Sequence, residues 1–274
     1  MIEGRDLLIY LAVICKGNYD ELLRAMKCRI IDPPPADVKK VVDGLKCKVL
    51  TYLDPDFPKY LKNLNSPPIV LFYYGDISLI NDENWKKNLA VVGTRHPTDY
   101  GIKMTQRMVH EVSYKVNIVS GLAKGIDAVA HRSCIEAEGK TIAVLGCGID
   151  TIYPVENKKL YKDIVNSGGL VISEYPYDTE PHFSHFPFRN RLIAAFSCAT
   201  LVTEAYGYSG TSITVNFALG YGRDVMCVPY PIESKNDSFC NQLLFEGALF
   251  IRDGQDVLYD LGLGEPKIIS SQVK

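Results

Sequence analysis

Residues 185–191 read HFPFRNR and stand directly before an apolar run, LIAAFS. Two arginines and an asparagine supply a dense set of hydrogen-bond donors, and arginine grips phosphate with a planar fork of N–H groups. Phe186 and Phe188 could pack in the core or offer a ring face to a base. Read as starting a helix near Arg189, the segment would place two cations in a first turn, where acids are preferred. Pairing with Glu174, Glu180 or Glu204 would relieve that conflict; a ligand phosphate would relieve it too.

Other chemistry-bearing segments follow short apolar runs. Gly93-Thr94-Arg95 follows LAVV. The stretch SGLAKGID, which holds Gly121, Lys124, Gly125 and Asp127, follows NIV. Gly146 and Gly148 follow TIAVL, and Glu204 with Ser209-Gly210-Thr211 follows TLVT. Glycine permits close backbone approach, and a helix N-terminus offers unpaired N–H groups to anions. Together these segments suit a phosphate-lined crevice. Each also has a plainer reading. Asp127 can be a helix N-terminal acid, Lys124 a solvated charge, His131 a hydrogen-bonded structural histidine, and Ser209 a helix cap. A carboxylate at position 204, closing an apolar strand, must bond loop N–H groups or act on a ligand.

Two common phosphate motifs fail. G-x-G-x-x-G at Gly146 breaks at Thr151, and a P-loop ending in Gly139-Lys140-Thr141 would need glycine where Cys134 stands. The eight cysteines form no C-x-x-C pair, and no histidine pair has metal-ligand spacing, so neither a metal nor a cofactor is expected. Scattered thiols in apolar runs fit a reducing, cytoplasmic setting. A net charge of −2 excludes a general polycation and confines any nucleic-acid contact to a local patch. No stretch is long and apolar enough to span a membrane.

These residues must be positioned by a scaffold. From residue 69, apolar runs alternate with helical patterns: IVLFYYG, NLAVV, NIVS, TIAVL, LVIS, ATLV and DVMCV. Continuous apolar strands separated by helices predict a mostly parallel sheet covered on both faces, an α/β doubly wound, Rossmann-like fold. Ligands of such sheets bind beyond the carboxyl ends of the strands. The expected organisation is a small helical domain over 1–48, an extended Rossmann-like domain over 49–262, and a tail over 263–274.

The segments AVVGTRHPTDYG, VSGLAKGIDAVAHRSCIEAEGKTIAVLGCGIDTIYPVEN, HFPFRNRLIAAFS and LVTEAYGYSGTSITVNFALGYGRDVMCVP, in this order, resemble the DprA/Smf family of bacterial DNA-processing proteins. The resemblance covers about residues 50–262. It implies an extended Rossmann domain that binds single-stranded DNA, protects incoming strands in natural transformation and hands them to the recombinase RecA. It also implies a homodimer without enzymatic turnover. Arg95 resembles the family's strand-binding arginine, with Gly93 and Thr94 cradling a phosphate. Gly121, Gly125 and Asp127 match its glycine loop; Arg189, Asn190 and Arg191 match its R-N-R; Ser209, Gly210 and Thr211 match its Ser-Gly-Ser/Thr turn. Residues 241–248 resemble the dimer-building, RecA-proximal part, which nominates Asn241, Leu243, Leu244 and Phe245. The first 48 residues loosely resemble a sterile-alpha-motif-like domain.

Three positions depart from the pattern. Phe183 stands where the family often carries a basic residue, Pro229-Tyr230 replaces Pro-Gly, and Phe239-Cys240-Asn241 replaces G-x-N. Two other function classes compete. A phosphoribohydrolase-like enzyme would carry a double-glycine loop and a following glutamate; EAYGYSGT and SITVNF contain neither. A nucleotide-sensing Rossmann module would use the same crevice for a small signal nucleotide.

Overall fold

The computed structural model describes residues 4–28, 32–207, 209–232 and 239–265. The chain opens with α1 (Gly4–Ile14), α2 (Tyr19–Cys28) and α3 (Pro35–Asp43), then β1 (Lys48–Thr51), α4 (Lys59–Lys62) and β2 (Val70–Gly75). The alternating part runs β3 (Asn88–Val92), α5 (Asp99–Val112), β4 (Asn117–Ser120), α6 (Ile126–Glu136), β5 (Thr141–Leu145), α7 (Lys158–Asn166), β6 (Leu170–Ser173) and α8 (His185–Ala195). It continues through β7 (Ala199–Val202), α9 (Gly210–Gly220), β8 (Asp224–Cys227), α10 (Phe239–Phe245), β9 (Leu249–Phe250) and α11 (Gly254–Asp260).

The nine strands form one sheet in the order β1-β2-β6-β5-β4-β3-β7-β8-β9. All seven apolar runs are strands. The six from β3 to β8 run parallel, and β9 joins them parallel to β8. The first apolar run departs from that direction: β2 is antiparallel to both β1 and β6. Every residue of β3, β5, β6 and β7 is buried, as expected of strands covered on both faces. One face, through Ala90, Val144 and Val202, packs on Leu192–Phe196 of the α8 segment and on Val215 and Ala218 of α9. The other face packs on α5, α6 and α11 at one end, through Met108, Ala130 and Leu258. At the other end it packs on α7 and the N-terminal helices. Leu8, Leu11, Ala12 and Leu22 share a single apolar cluster with Phe72, Leu145 and Ile164. The helices of residues 1–48 are thus joined to the sheet by continuous packing, and burying a leucine this way contributes about 1.5–3 kcal/mol.

Chain order reverses at β3. β4, β5 and β6 lie to one side of it, β7, β8 and β9 to the other. That reversal splays the connections after β3 and β7 apart and leaves a crevice at their carboxyl ends. The final residues, 266–274, lie outside the described residues, so most of the expected tail does too. Among the described residues, no helix is long and apolar enough to cross a membrane.

Candidate functional site

A cavity of about 1010 Å³ opens at this switch point, lined by segments that follow β3, β4 and β7 and by one face of α8. Thr94 is fixed on both sides: its N–H donates to the Glu204 carbonyl at 2.8 Å, and its carbonyl accepts from Ile126 N–H at 3.1 Å. Arg95 follows it, exposed, with its guanidinium 5.8 Å from the centre of the Phe186 ring. Gly125 carries φ +77°, and a Cβ there would stand 2.3 Å from the Thr94 carbonyl oxygen. Glycine is therefore required for α6 to begin against the β3 loop.

α8 begins at His185, earlier than the sequence pattern suggested, and Pro187 falls within its first turn, where proline costs no hydrogen bond. Phe186, Arg189, Asn190 and Ile193 consequently share one helical face at i, i+3, i+4 and i+7, and all four line the cavity. Arg189 is buried in the floor. Its Nη1 donates to the Gly121 carbonyl at 2.7 Å and to the Val144 carbonyl, and its Nε donates to Asn190 Oδ1 at 3.1 Å. Asn190 Nδ2 donates to the Gly210 carbonyl at 3.0 Å, tying α8 to the start of α9. Phe186 fits only because residue 146 is glycine; a Cβ there would meet its ring at 2.7 Å.

Arg191 and Phe188 lie on the opposite face of α8. Arg191 Nη2 reaches both Glu174 oxygens, at 2.6 and 2.7 Å, with the Phe188 ring 4.1 Å away. Burial pushes the Glu174 carboxyl up from the ordinary carboxylate range, against the pull of Arg191. The three residues of the R-N-R segment therefore divide: Arg189 and Asn190 line the cavity, and Arg191 does not.

The remaining candidates sort similarly. Gly93, Thr94, Arg95, Asp127, Ser209, Gly210 and Thr211 line the cavity. Asp127 accepts from the N–H groups of Gly121 and Ala123 at 3.1 and 3.3 Å. Burial raises its pKa while Arg189 and these N–H groups oppose the rise, and burial lowers that of Arg189 while Asp127 opposes the fall. Ser209 caps α9 in extended conformation without a side-chain cap bond, and its buried Oγ has no partner among the described residues. The first N–H groups of a helix have no partner within it, so α9 presents donors here. Gly121, Gly125 and Gly146 shape the walls from behind. Lys124 points outward to Glu156 at 2.5 Å. Glu204 is fully buried beneath the loop, accepting from Thr98 N–H at 3.0 Å, from Thr98 Oγ1 at 3.2 Å and from the Tyr206 and Tyr230 hydroxyls. His131 also lies in the core, its Nδ1 2.6 Å from Thr141 Oγ1.

Sequence reasoning did not nominate Tyr153, Pro181 or His96, and offered Glu180 only as an ion-pair partner for the arginines of HFPFRNR; all four line the cavity. Tyr153 precedes Pro154 in a polar loop, and only the tertiary fold brings it to 5.5 Å from Phe186. At the far edge of the sheet, Asn241 exchanges hydrogen bonds with the Tyr230 backbone, Leu243 is buried and Leu244 is partly buried; Phe245 is 94% exposed. All eight cysteines are free thiols. No group of three or more metal-ligating side chains occurs among the described residues.

Comparison with known proteins places these features in a family. The family model for DNA recombination-mediator protein A matches residues 48–262. Protein Smf of Synechocystis is 42% identical over 214 residues, 78% of this chain and 54% of that protein. DNA processing protein DprA of Streptococcus pneumoniae is 40% identical over 206 residues, 75% of this chain and 71% of that protein. The chain thus spans about half to two thirds or slightly more of these relatives' length. The X-ray structure of S. pneumoniae DprA superposes with a TM-score of 0.76 at 32% identity, covering 95% of this chain and 99% of that one. DNA processing protein A of Helicobacter pylori, a protein with a described single-stranded DNA binding mode, superposes at 0.70 with 30% identity, covering 80% and 96%. With the family model matching most of its length and the same fold in its relatives, this chain belongs to the DNA recombination-mediator protein A family.

Proposed function

We propose that this protein binds single-stranded DNA in the switch-point cavity and acts in DNA recombination as a mediator that passes strands to RecA, without chemical turnover. The observation that carries the reading is the pairing of one exposed cation with one ring at the cavity mouth, Arg95 beside Phe186, over a floor of Arg189 and the α9 N-terminus. A phosphate fits the first and third, an unstacked base the second. Such a site holds the backbone and reads little sequence. The absence of turnover is supported by the two buried acids, Asp127 and Glu204, which are occupied by N–H and hydroxyl donors of the protein itself, while the third acid, Glu180, stands exposed at the cavity wall. Pairing into a homodimer is supported by the sheet edge, where Phe245 is 94% and Phe250 55% exposed.

The test is Arg95→Ala in the full chain. Affinity for single strands should fall for all sequences alike, and the slope of log K against log salt should flatten by about 0.7. Unchanged affinity and slope would remove Arg95 from the site. Steady release of free base from nucleoside monophosphates would replace the reading with an enzyme.

A further inference from the structure

Phe183 is 80% exposed at the lip of the cavity. A phenyl ring in water is the kind of apolar surface that binding covers. Its neighbourhood is aromatic. His182 packs at 4.2 Å and is itself held by Ser184 at 2.8 Å. Tyr153, 46% exposed, lines the same cavity with its ring 5.5 Å from Phe186. The segment that carries Phe183 also brings the exposed carboxylate of Glu180 to the cavity wall. A phosphate at that lip would meet a like charge, whereas a neutral base would not.

We infer that Phe183, with Tyr153, forms a base-stacking platform at the cavity mouth for an unstacked nucleobase of the strand whose phosphate is gripped near Arg95. The inference rests on the single-strand reading above and adds to it a division of labour. One part of the cavity takes the backbone; the lip takes a base. A phenyl ring has no donor or acceptor for base edges, so the platform favours unstacked bases of any identity over paired ones. The contact at this position is therefore insensitive to salt.

The experiment compares the full chain and its Phe183→Ala and Phe183→Lys variants on two probes: an oligothymidylate and an abasic deoxyribose-phosphate backbone of equal length. Phe183→Ala should weaken binding of the base-bearing strand by about 5- to 100-fold and leave binding of the abasic backbone unchanged. Phe183→Lys should show the same loss as Phe183→Ala and leave the salt slope unchanged, because a cation beside Glu180 meets no phosphate at a lip that takes a base. Wild-type affinity of Phe183→Ala for the base-bearing strand, or an equal loss on both probes, would overturn the platform while leaving the single-strand reading intact. A wild-type protein that binds neither probe would overturn both.

Discussion

Replacing Arg191 by methionine should destabilise the fold by about 3–5 kcal/mol, the usual cost of leaving one member of a buried ion pair without its partner. The pair qualifies: the side chains are 2% and 8% exposed, and one guanidinium nitrogen serves both carboxylate oxygens. Removing the cation leaves the buried Glu174 carboxylate without the guanidinium that serves both its oxygens. Arg191 Nε and Nη1 have no partners of their own among the described residues, so the pair does not fully offset its desolvation. The double variant Arg191→Met/Glu174→Leu should therefore recover most of the loss. The deficit of the single variant should also depend on pH. Burial already raises the Glu174 pKa, and without Arg191 it rises further. A raised folded-state pKa means stability is intact below the unfolded value and is lost as pH climbs, at up to about 1.4 kcal/mol per unit. Urea unfolding at pH 5 and pH 8 measures this, with the larger deficit at pH 8. A single variant within about 1 kcal/mol of wild type would refute the structural role. So would one that unfolds normally yet loses DNA binding, because Arg191 would then be a direct phosphate contact.

Two further outcomes follow from buried and exposed groups elsewhere. Burial, with Arg189 and Arg132 nearby, lowers the His131 pKa to about 3, so its stabilising contribution is present above the unfolded value near 6.5 and is lost as pH falls towards 3. The stability gap between wild type and His131→Gln should shift against wild type by about 2 kcal/mol from pH 7 to pH 5, read by urea unfolding; a constant gap would contradict it. Phe245→Asp, at the exposed edge, should turn a sedimenting dimer into a folded monomer whose melting temperature no longer rises with protein concentration. A wild-type monomer, or a variant that stays paired, would rule out that edge as the dimer surface.

Much of this was legible in the sequence, and the exceptions have local causes. Seven strands announced themselves as apolar runs, and four of them, β3, β5, β6 and β7, are buried along their whole length. β1 and β9 did not: KVLT is buried on only part of its length, and β9 is two residues long. Nor could periodicity give the direction of β2, since strand direction is a tertiary property and its apolar run reads the same either way. In HFPFRNR the residue types pointed to the site, but equal weight for Arg189 and Arg191 overlooked helix geometry, which holds wherever the helix begins. Two residues on a helix turn through about 200°, so these arginines must face opposite ways. Glu174 was visible as a partner in the chain; that it takes Arg191 and not Arg189 required the fold. Phe183 was conspicuous only as a missing cation, and its exposure beside Glu180 gave it a different meaning.

The most direct measurement is the affinity of the unmodified protein for a single strand and for a duplex of the same sequence, titrated with salt. We expect tighter binding of the single strand, with log K falling linearly against log salt by about 0.7 for each phosphate neutralised. Equal affinity for duplex and single strand, or an affinity indifferent to salt, would contradict a cavity that holds backbone with arginine and base with aromatic rings.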